Sequence, residues 1–229
     1  MFRQFRILPE AKALEIWRKL NESDWEQGKA KTERATGTVK RNEEIVPRDN
    51  THPLWPAVME IRDAMMQHGG FMAHTLTWKM TVPKFNRYQG GGTYNRHYDS
   101  SPMGTADMRT DWSCTLHLTP PDEYEGGELC VEHASGNVMQ APKGEPGVAV
   151  VYDCGEAHWV NPVTKGARTS SVMWIRSLVK DAGERRMIST FGEILRRCEH
   201  ENKPIEPYSD DYTTLTGIQT ALCRKWMDA

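Results

Sequence analysis

The sequence predicts a mainly β protein, a sandwich or jelly roll with flanking helices, on three observations. Between about residue 76 and residue 177 the chain falls into short stretches of strand character, several of them alternating apolar and polar residues. Turn signals punctuate those stretches: Gly90-Gly91-Gly92, Pro120-Pro121-Asp122, Gly126-Gly127, Ser135-Gly136-Asn137 and Gly144-Glu145-Pro146-Gly147. On either side the apolar residues take helical spacing, which places packing helices outside a sheet.

The first helix is expected over Glu10 to Leu20, with Ala13, Trp17 and Leu20 on one face. A second follows Pro53, burying Leu54, Val58, Ile61 and Met65, and ends at Gly69-Gly70, where glycine accepts a left-handed cap. Strands are expected over Leu76 to Val82, Ser113 to Leu118, Glu128 to His133, Val148 to Tyr152 and Ser170 to Ser177. Beyond Lys180 the strand signal stops. Met187, Phe191, Ile194 or Leu195, and Cys198 form one helical stripe; Leu215, Ile218, Leu222 and Trp226 form another after the polar connection Asn202 to Asp211. The chain therefore divides into residues 1–180, a domain with N-terminal packing helices, and residues 181–229, a helical extension that packs on the barrel or on a neighbouring subunit.

A chain of 229 residues can bury a sizeable core, and its 38% hydrophobic and 26% charged content is that of a folded protein rather than a disordered one. A net charge of -2 supplies no global field for nucleic acid or an anionic membrane, so neither partner is expected. No run approaches the ~20 apolar residues of a membrane span, and the start Met1 to Arg6 lacks the apolar run of a signal peptide. Five cysteines, odd in number and without a CxxC pair, argue against a disulfide framework or zinc knuckle. They read as small buried side chains, and a reducing cytoplasm is the expected location.

The chemistry concentrates in Tyr88 to Asp99. His97 and Asp99 stand at i and i+2, so on a strand both side chains leave one face and can take adjacent positions on a metal. His158, after the strand that begins at Val148, is the candidate third ligand. Two histidines and one carboxylate leave other positions open, which is how non-haem iron admits a cosubstrate and O₂. An isolated HxD is a weak signal. Arg168 strengthens it: ten residues beyond His158 and opening a strand, its guanidinium can clamp the distal carboxylate of a dicarboxylic acid, with the Ser170 hydroxyl on the same face. A structural ion pair is the alternative role for Arg168. His117 alternates on a strand near the site and is a candidate for its lining; His52, His68, His74, His133 and His200 match no ligand spacing. Trp78, Trp112 and Trp174 sit in strands, with packing the expected role and a pocket wall the alternative; Asp122 to Glu125 reads as a solvated turn.

Three segments, Arg87 to Asp99, Asp111 to Leu116 and Asp122 to Leu129, resemble the prolyl 4-hydroxylase-type branch of the 2-oxoglutarate oxygenases. His158-Trp159-Val160-Asn161-Pro162 through Arg168 resembles in particular the bacterial and phage PKHD-type hydroxylases, and Leu215-Thr216-Gly217-Ile218 with Arg224-Lys225-Trp226 resembles their helical end. The resemblance implies a double-stranded β-helix core, Fe(II) held by His97, Asp99 and His158, and 2-oxoglutarate bound by Arg168 with Tyr88 pointing toward it. Tyr88 is equally suited to the core. The implied activity is hydroxylation of an unactivated C–H bond of a prolyl or amino-acid-type substrate, small molecule or peptide, with O₂ consumed, succinate and CO₂ released, and ascorbate as a supporting reductant. Tyr98, Ser100, Trp159 and the run Gly90 to Gly92 depart from the family's pattern, which puts the substrate pocket rather than the metal site in doubt.

Three other readings compete. A nucleic-acid repair dioxygenase of the same barrel has its paired arginines farther beyond the histidine than Arg168 and Arg176 stand, and it is disfavoured by the charge. A non-catalytic, cupin-like metal-binding module would not need Arg168 at that spacing. A zinc hydrolase can use the same ligands, but no general base stands at a helpful spacing. The C-terminal helices offer a surface for a homo-oligomer.

Overall fold

A computed structural model describes residues 2–28, 40–100, 108–133, 135–201 and 205–227, without the side chains of 200 and 201. The His200 side chain and the stretch 202–204 of the expected connection therefore lie outside the described residues. In chain order the first elements are β1 (Arg3–Arg6), α1 (Glu10–Asn21), β2 (Glu26–Gln27), β3 (Lys40–Arg41), β4 (Glu43–Ile45), α2 (Trp55–Gln67) and α3 (Gly69–Thr75). The sheet region follows as β5 (Thr77–Met80), β6 (Lys84–Gln89), β7 (Thr93–His97), β8 (Trp112–His117), β9 (Tyr124–Gly126), β10 (Leu129–Glu132), β11 (Val138–Gln140), β12 (Val148–Asp153), β13 (Ala157–Val160) and β14 (Val163–Ser177). Helices α4 (Ala182–Glu201) and α5 (Asp210–Trp226) close it.

These strands form two antiparallel sheets. The larger runs β1-β12-β8-β14-β6-β4-β2, with β5 and β9 also paired to β14; the smaller runs β11-β10-β13-β7-β3. From β6 onward the chain passes repeatedly between the sheets, with β6, β8, β12 and β14 in one and β7, β10, β11 and β13 in the other. That is the jelly roll expected from the strand pattern.

Register determines what each face carries. Ser170 pairs with both His117 and Asn86, and Arg168 pairs with Tyr88, so these side chains share one face of the larger sheet. The alternate residues Trp112, Cys114, Leu116, Met173 and Ile175 share the other and pack with Ala13, Ile16 and Leu20 of α1, Val58, Ile61 and Met65 of α2, and Phe71 of α3. Every residue of β8 is buried, because helices cover one of its faces and the smaller sheet the other. A second cluster, including Tyr88, Val150 and Tyr152 from the larger sheet and Leu129, Val131 and Val160 from the smaller, fills the space between them.

Several boundaries differ from expectation. Helix α2 ends at Gln67, just before Gly69-Gly70 as expected, but neither glycine takes the left-handed conformation. The His68 side chain accepts from the Phe71 N–H at 3.0 Å and so caps a further helix, α3, which ends on Leu76 in the left-handed conformation (φ 49). Pro83 separates β5 from β6, where the expected strand ran on through Val82. Strand β14 begins seven residues earlier than Ser170. In α1 the buried residue between Ala13 and Leu20 is Ile16, with Trp17 half-buried. In α4 the inward stripe is Ile188, Leu195 and Cys198, while Met187 is 47% exposed. In α5 it is Tyr212, which packs with Leu195 and Cys198, whereas Ile218 points outward. The acidic turn is part strand, with Tyr124 buried in β9.

Two arginines tie α4 to the barrel, Arg3 of β1 through Glu193 and Arg185 through Asp111 and Asp153. Arg185 of α4, buried, donates to Asp153 Oδ2 at 2.7 Å and to Asp111 Oδ1 at 3.3 Å. Asp111 also accepts from the Arg109 guanidinium at 3.0 Å and from the Ser177 N–H at 2.8 Å. The described cysteines are all free thiols, four buried and Cys223 half-buried. Among the described residues no helix is long and apolar enough to cross a membrane.

Candidate metal centre

Strands β7 and β13 bring His97 opposite His158 and Tyr94 opposite Val160. Two residues of β7, Asn95 and Arg96, thus oppose Trp159 alone, a β-bulge. Without it the strand's two-residue period would send Tyr94 and His97 to opposite faces. With it both face the inter-sheet cleft and stack at 3.5 Å between ring centroids, 19° between planes. The strand ends at His97, so Asp99 stands in the segment just beyond it rather than on a strand. Its carboxylate nevertheless faces both rings, with Oδ2 at 3.5 Å from His158 Nε2 and Oδ1 at 3.9 Å from His97 Nε2.

The three ligand atoms lie within 4.8 Å of one another, close enough to share one metal ion. The Nδ1 atoms point away, 2.8 Å from the Asn95 carbonyl and 3.1 Å from the Glu156 carbonyl. A carbonyl can only accept, so each Nδ1 carries the proton and each Nε2 keeps its lone pair toward Asp99. Burial, reinforced by the neighbouring His158, lowers His97 to about 4, so its ring is neutral and ready to ligate. Ser113, on the cleft face of β8, donates a hydrogen bond to Asp99 Oδ2 and orients the carboxylate. This set of two imidazoles and one carboxylate fits a divalent metal such as Fe(II) that must retain open positions.

Deeper in the same cleft lies Arg168, only 2% exposed. Its Nη1 donates to Ser170 Oγ at 3.2 Å, the pairing expected from the shared strand face. Its Nε and Nη2 are buried without a hydrogen-bond partner among the described residues. Among the described residues no carboxylate lies within ion-pair distance of it, so the structural ion pair weighed above is absent. A buried guanidinium with free N–H groups fits a carboxylate supplied from outside the chain. Room for its stem comes from Gly127 (φ +70), where a Cβ would stand 2.9 Å from Arg168 Cδ. Tyr88 lies beside the guanidinium at 5.7 Å from ring centroid, and burial pushes its phenol up, so it is a neutral donor.

The other residues singled out in the sequence separate cleanly. His117 is buried next to Ser170 but does not line the cleft; it packs against Gly144, where a Cβ would fall 2.2 Å from its ring. Burial and the nearby Arg168 lower it to about 3. Trp174 lines the cleft, Trp112 belongs to the helix-side core, and Trp78 is 45% exposed. His52 and His68 accept backbone N–H groups, and His133 stands 3.6 Å from Glu156. The sequence reading missed Ser113, Tyr94, Lys40 and Lys84, which also line the cleft. Strand parity with Thr115 and His117 signals Ser113, and parity with Tyr88 signals Lys84. No local signal marks Lys40, on a two-residue strand.

Residues 83–176 match the profile of the 2OG-Fe(II) oxygenase superfamily. A PKHD-type hydroxylase of Burkholderia cenocepacia (strain HI2424) is 35% identical over 228 residues, 97% of this chain and 97% of its own. The chain therefore belongs to the PKHD-type hydroxylases of the 2OG-Fe(II) oxygenase superfamily, enzymes that use Fe(II), 2-oxoglutarate and O₂. Among solved structures, a Pseudomonas putida prolyl-4-hydroxylase aligns over 76% of this chain and 92% of its own at TM-score 0.51 and 23% identity. A Trichoplax adhaerens prolyl hydroxylase, solved with a hypoxia inducible factor peptide fragment, aligns over 82% and 86% at TM-score 0.56 and 14% identity. At these identities both show a shared fold.

Proposed function

We propose that the chain hydroxylates an unactivated C–H bond of a prolyl or amino-acid-type substrate, converting 2-oxoglutarate to succinate and CO₂. His97, Asp99 and His158 hold the iron, and Arg168 holds the cosubstrate. The observation that carries this reading is the buried Arg168 guanidinium, whose Nε and Nη2 have no partner among the described residues, in the same cleft as the His–Asp–His cluster. When bound, iron would supply the centre at which O₂, the oxidant, is reduced with two electrons from 2-oxoglutarate and two from the substrate C–H bond. The chain's own residues do the rest.

Arg168 and Ser170 orient the distal carboxylate, since a fork of N–H donors fixes angle as well as distance. The Tyr88 phenol, kept neutral by burial, adds a donor on the cosubstrate side. The backbone carbonyls of Asn95 and Glu156 hold the imidazoles, and Ser113 holds the carboxylate, so the ligands are arranged before metal arrives. Leu129, Val160 and Val172 supply apolar wall that keeps water from the reacting centre. Ascorbate is expected to sustain turnover, and the free cysteines suit a reducing cytoplasm.

The test is anaerobic addition of Fe(II) and 2-oxoglutarate to metal-free protein, read in the visible spectrum. A charge-transfer band is expected in the wild type, absent in His158→Ala and weakened in Arg168→Ala. Succinate release with prolyl peptides then identifies the substrate class. A folded wild type that shows no band overturns the reading.

A further inference from the structure

Two lysines that the proposed chemistry does not use line the cleft. Lys40 on β3 and Lys84 at the start of β6 both donate to one oxygen, Glu44 Oε1, at 2.5 and 3.0 Å. Both lysines line the cleft with Asn86 and Tyr88 of β6, and Glu44 pairs with Asn86 across the neighbouring strand. Each also lies over an aromatic wall residue, Lys40 at 5.2 Å from the Tyr94 ring and Lys84 at 5.3 Å from the Trp174 ring. Their side chains are only 13% and 19% exposed. Each ammonium has three N–H donors and spends one on Glu44.

Charge is left over. The cleft cations Lys40, Lys84 and Arg168 face two carboxylates, Asp99 and Glu44. Fe(II) and a dicarboxylate dianion cancel one another when added, so one positive charge remains unmatched. A partly desolvated charge of this kind is costly unless paired. An incoming anion with hydrogen-bond acceptors would pair it and use the spare donors.

We propose that Lys40 and Lys84 are specificity-determining residues that bind a carboxylate of the substrate, so that the preferred substrate is acidic. This rests on the function proposed above. The carboxylate belongs either to the reacting residue, as in a free or C-terminal amino acid, or to an acidic neighbour in a peptide. Both share one chemistry and are separable by experiment.

The protein, loaded anaerobically with Fe(II) and 2-oxoglutarate, is titrated calorimetrically with three probes: N-acetyl-L-proline, its methylamide, and N-acetyl-prolyl-aspartyl methylamide. At least one carboxylate probe is expected to bind about ten- to a hundredfold tighter than the methylamide, the worth of charge-assisted hydrogen bonds. Whichever does so identifies the source. Lys84→Met and Lys40→Met are expected to erase the preference without weakening 2-oxoglutarate binding, and Lys84→Arg to retain part of it. Lys84→Met combined with Glu44→Gln covers the case in which an unpaired Glu44 unfolds the single variant. Equal affinities in the wild type, or no binding of any probe, overturn the proposal. So does a loss of 2-oxoglutarate affinity in the lysine variants, which would assign them to the cosubstrate. Repeating the titration without iron separates the two readings. A carboxylate preference in a protein with no charge-transfer band would sink the function and leave the lysine site standing.

Discussion

On β8 and β14 the side chains that meet the helices are Trp112, Cys114, Leu116, Met173 and Ile175, whereas the opposite face carries Ser113, Thr115, His117, Arg168 and Ser170. Both faces are buried. Among the described residues the apolar face leaves one buried hydroxyl, Thr169 Oγ1, without a partner, whereas the polar face leaves Arg168 Nε and Nη2, His117 Nε2 and Trp174 Nε1. The difference teaches where stability and function reside in a strand covered on both sides. Apolar burial on one face holds the fold, and that margin tolerates unpaired polar groups on the other until a ligand arrives.

Four substitutions would break or sharpen this contrast. The largest effect is expected from His158→Ala. It removes a proposed iron ligand from the cleft, so activity should fall to background while the melting temperature of the metal-free protein hardly changes. Next, Arg168→Met should weaken 2-oxoglutarate binding by about a hundredfold, from the loss of two charged hydrogen bonds. It should not lower the melting temperature of ligand-free protein, because it removes an unpaired buried charge. A large drop would show that the guanidinium supports the fold. On the other face, Leu116→Ala should cost about 2–5 kcal/mol in denaturant unfolding. The folded fraction should keep its affinity for 2-oxoglutarate.

The smallest effect concerns acid. His117 sits near 3 in the folded protein against an ordinary value of 6.5, so the unfolded chain binds the proton more readily. Its contribution is complete above 6.5 and is lost as pH falls from there toward 3. His117→Gln should therefore flatten the acid side of the stability profile by about 1 kcal/mol per pH unit. An unchanged slope would place the acid sensitivity elsewhere.

The apolar face was readable from sequence because its periodicity is local. Trp112, Cys114 and Leu116 alternate within six residues, and the strand could be recognised without knowing its partners. The cluster of His97, Asp99 and His158, and Arg168 in the same cleft, could be picked out for a different reason, since the four keep a spacing that resembles a known family. What escaped depends on pairing. The bulge that turns His97 inward exists only in the register between β7 and β13. Lys40 and Glu44 occupy strands of two and three residues, too short to show a period and defined by the neighbours they meet. Gly69-Gly70 marked the end of α2 but misled as to its cap, because the His68 side chain that caps the next helix was invisible as such in the sequence. Met187 and Ile188 are adjacent and similarly apolar, so the facing of α4 was settled only by what it packs against.

Arg185 limits how far the protein can be trimmed. Shortening the chain to residue 180 would leave Asp111 and Asp153 without that guanidinium at the end of the barrel nearest Ser113 and Cys154. Asp153 would lose the guanidinium it now accepts from, while Asp111 would keep Arg109 and the Ser177 N–H. A minimal barrel for biotechnology would have to carry a neutral replacement at Asp153, or keep the first turns of α4 as a molecular rivet.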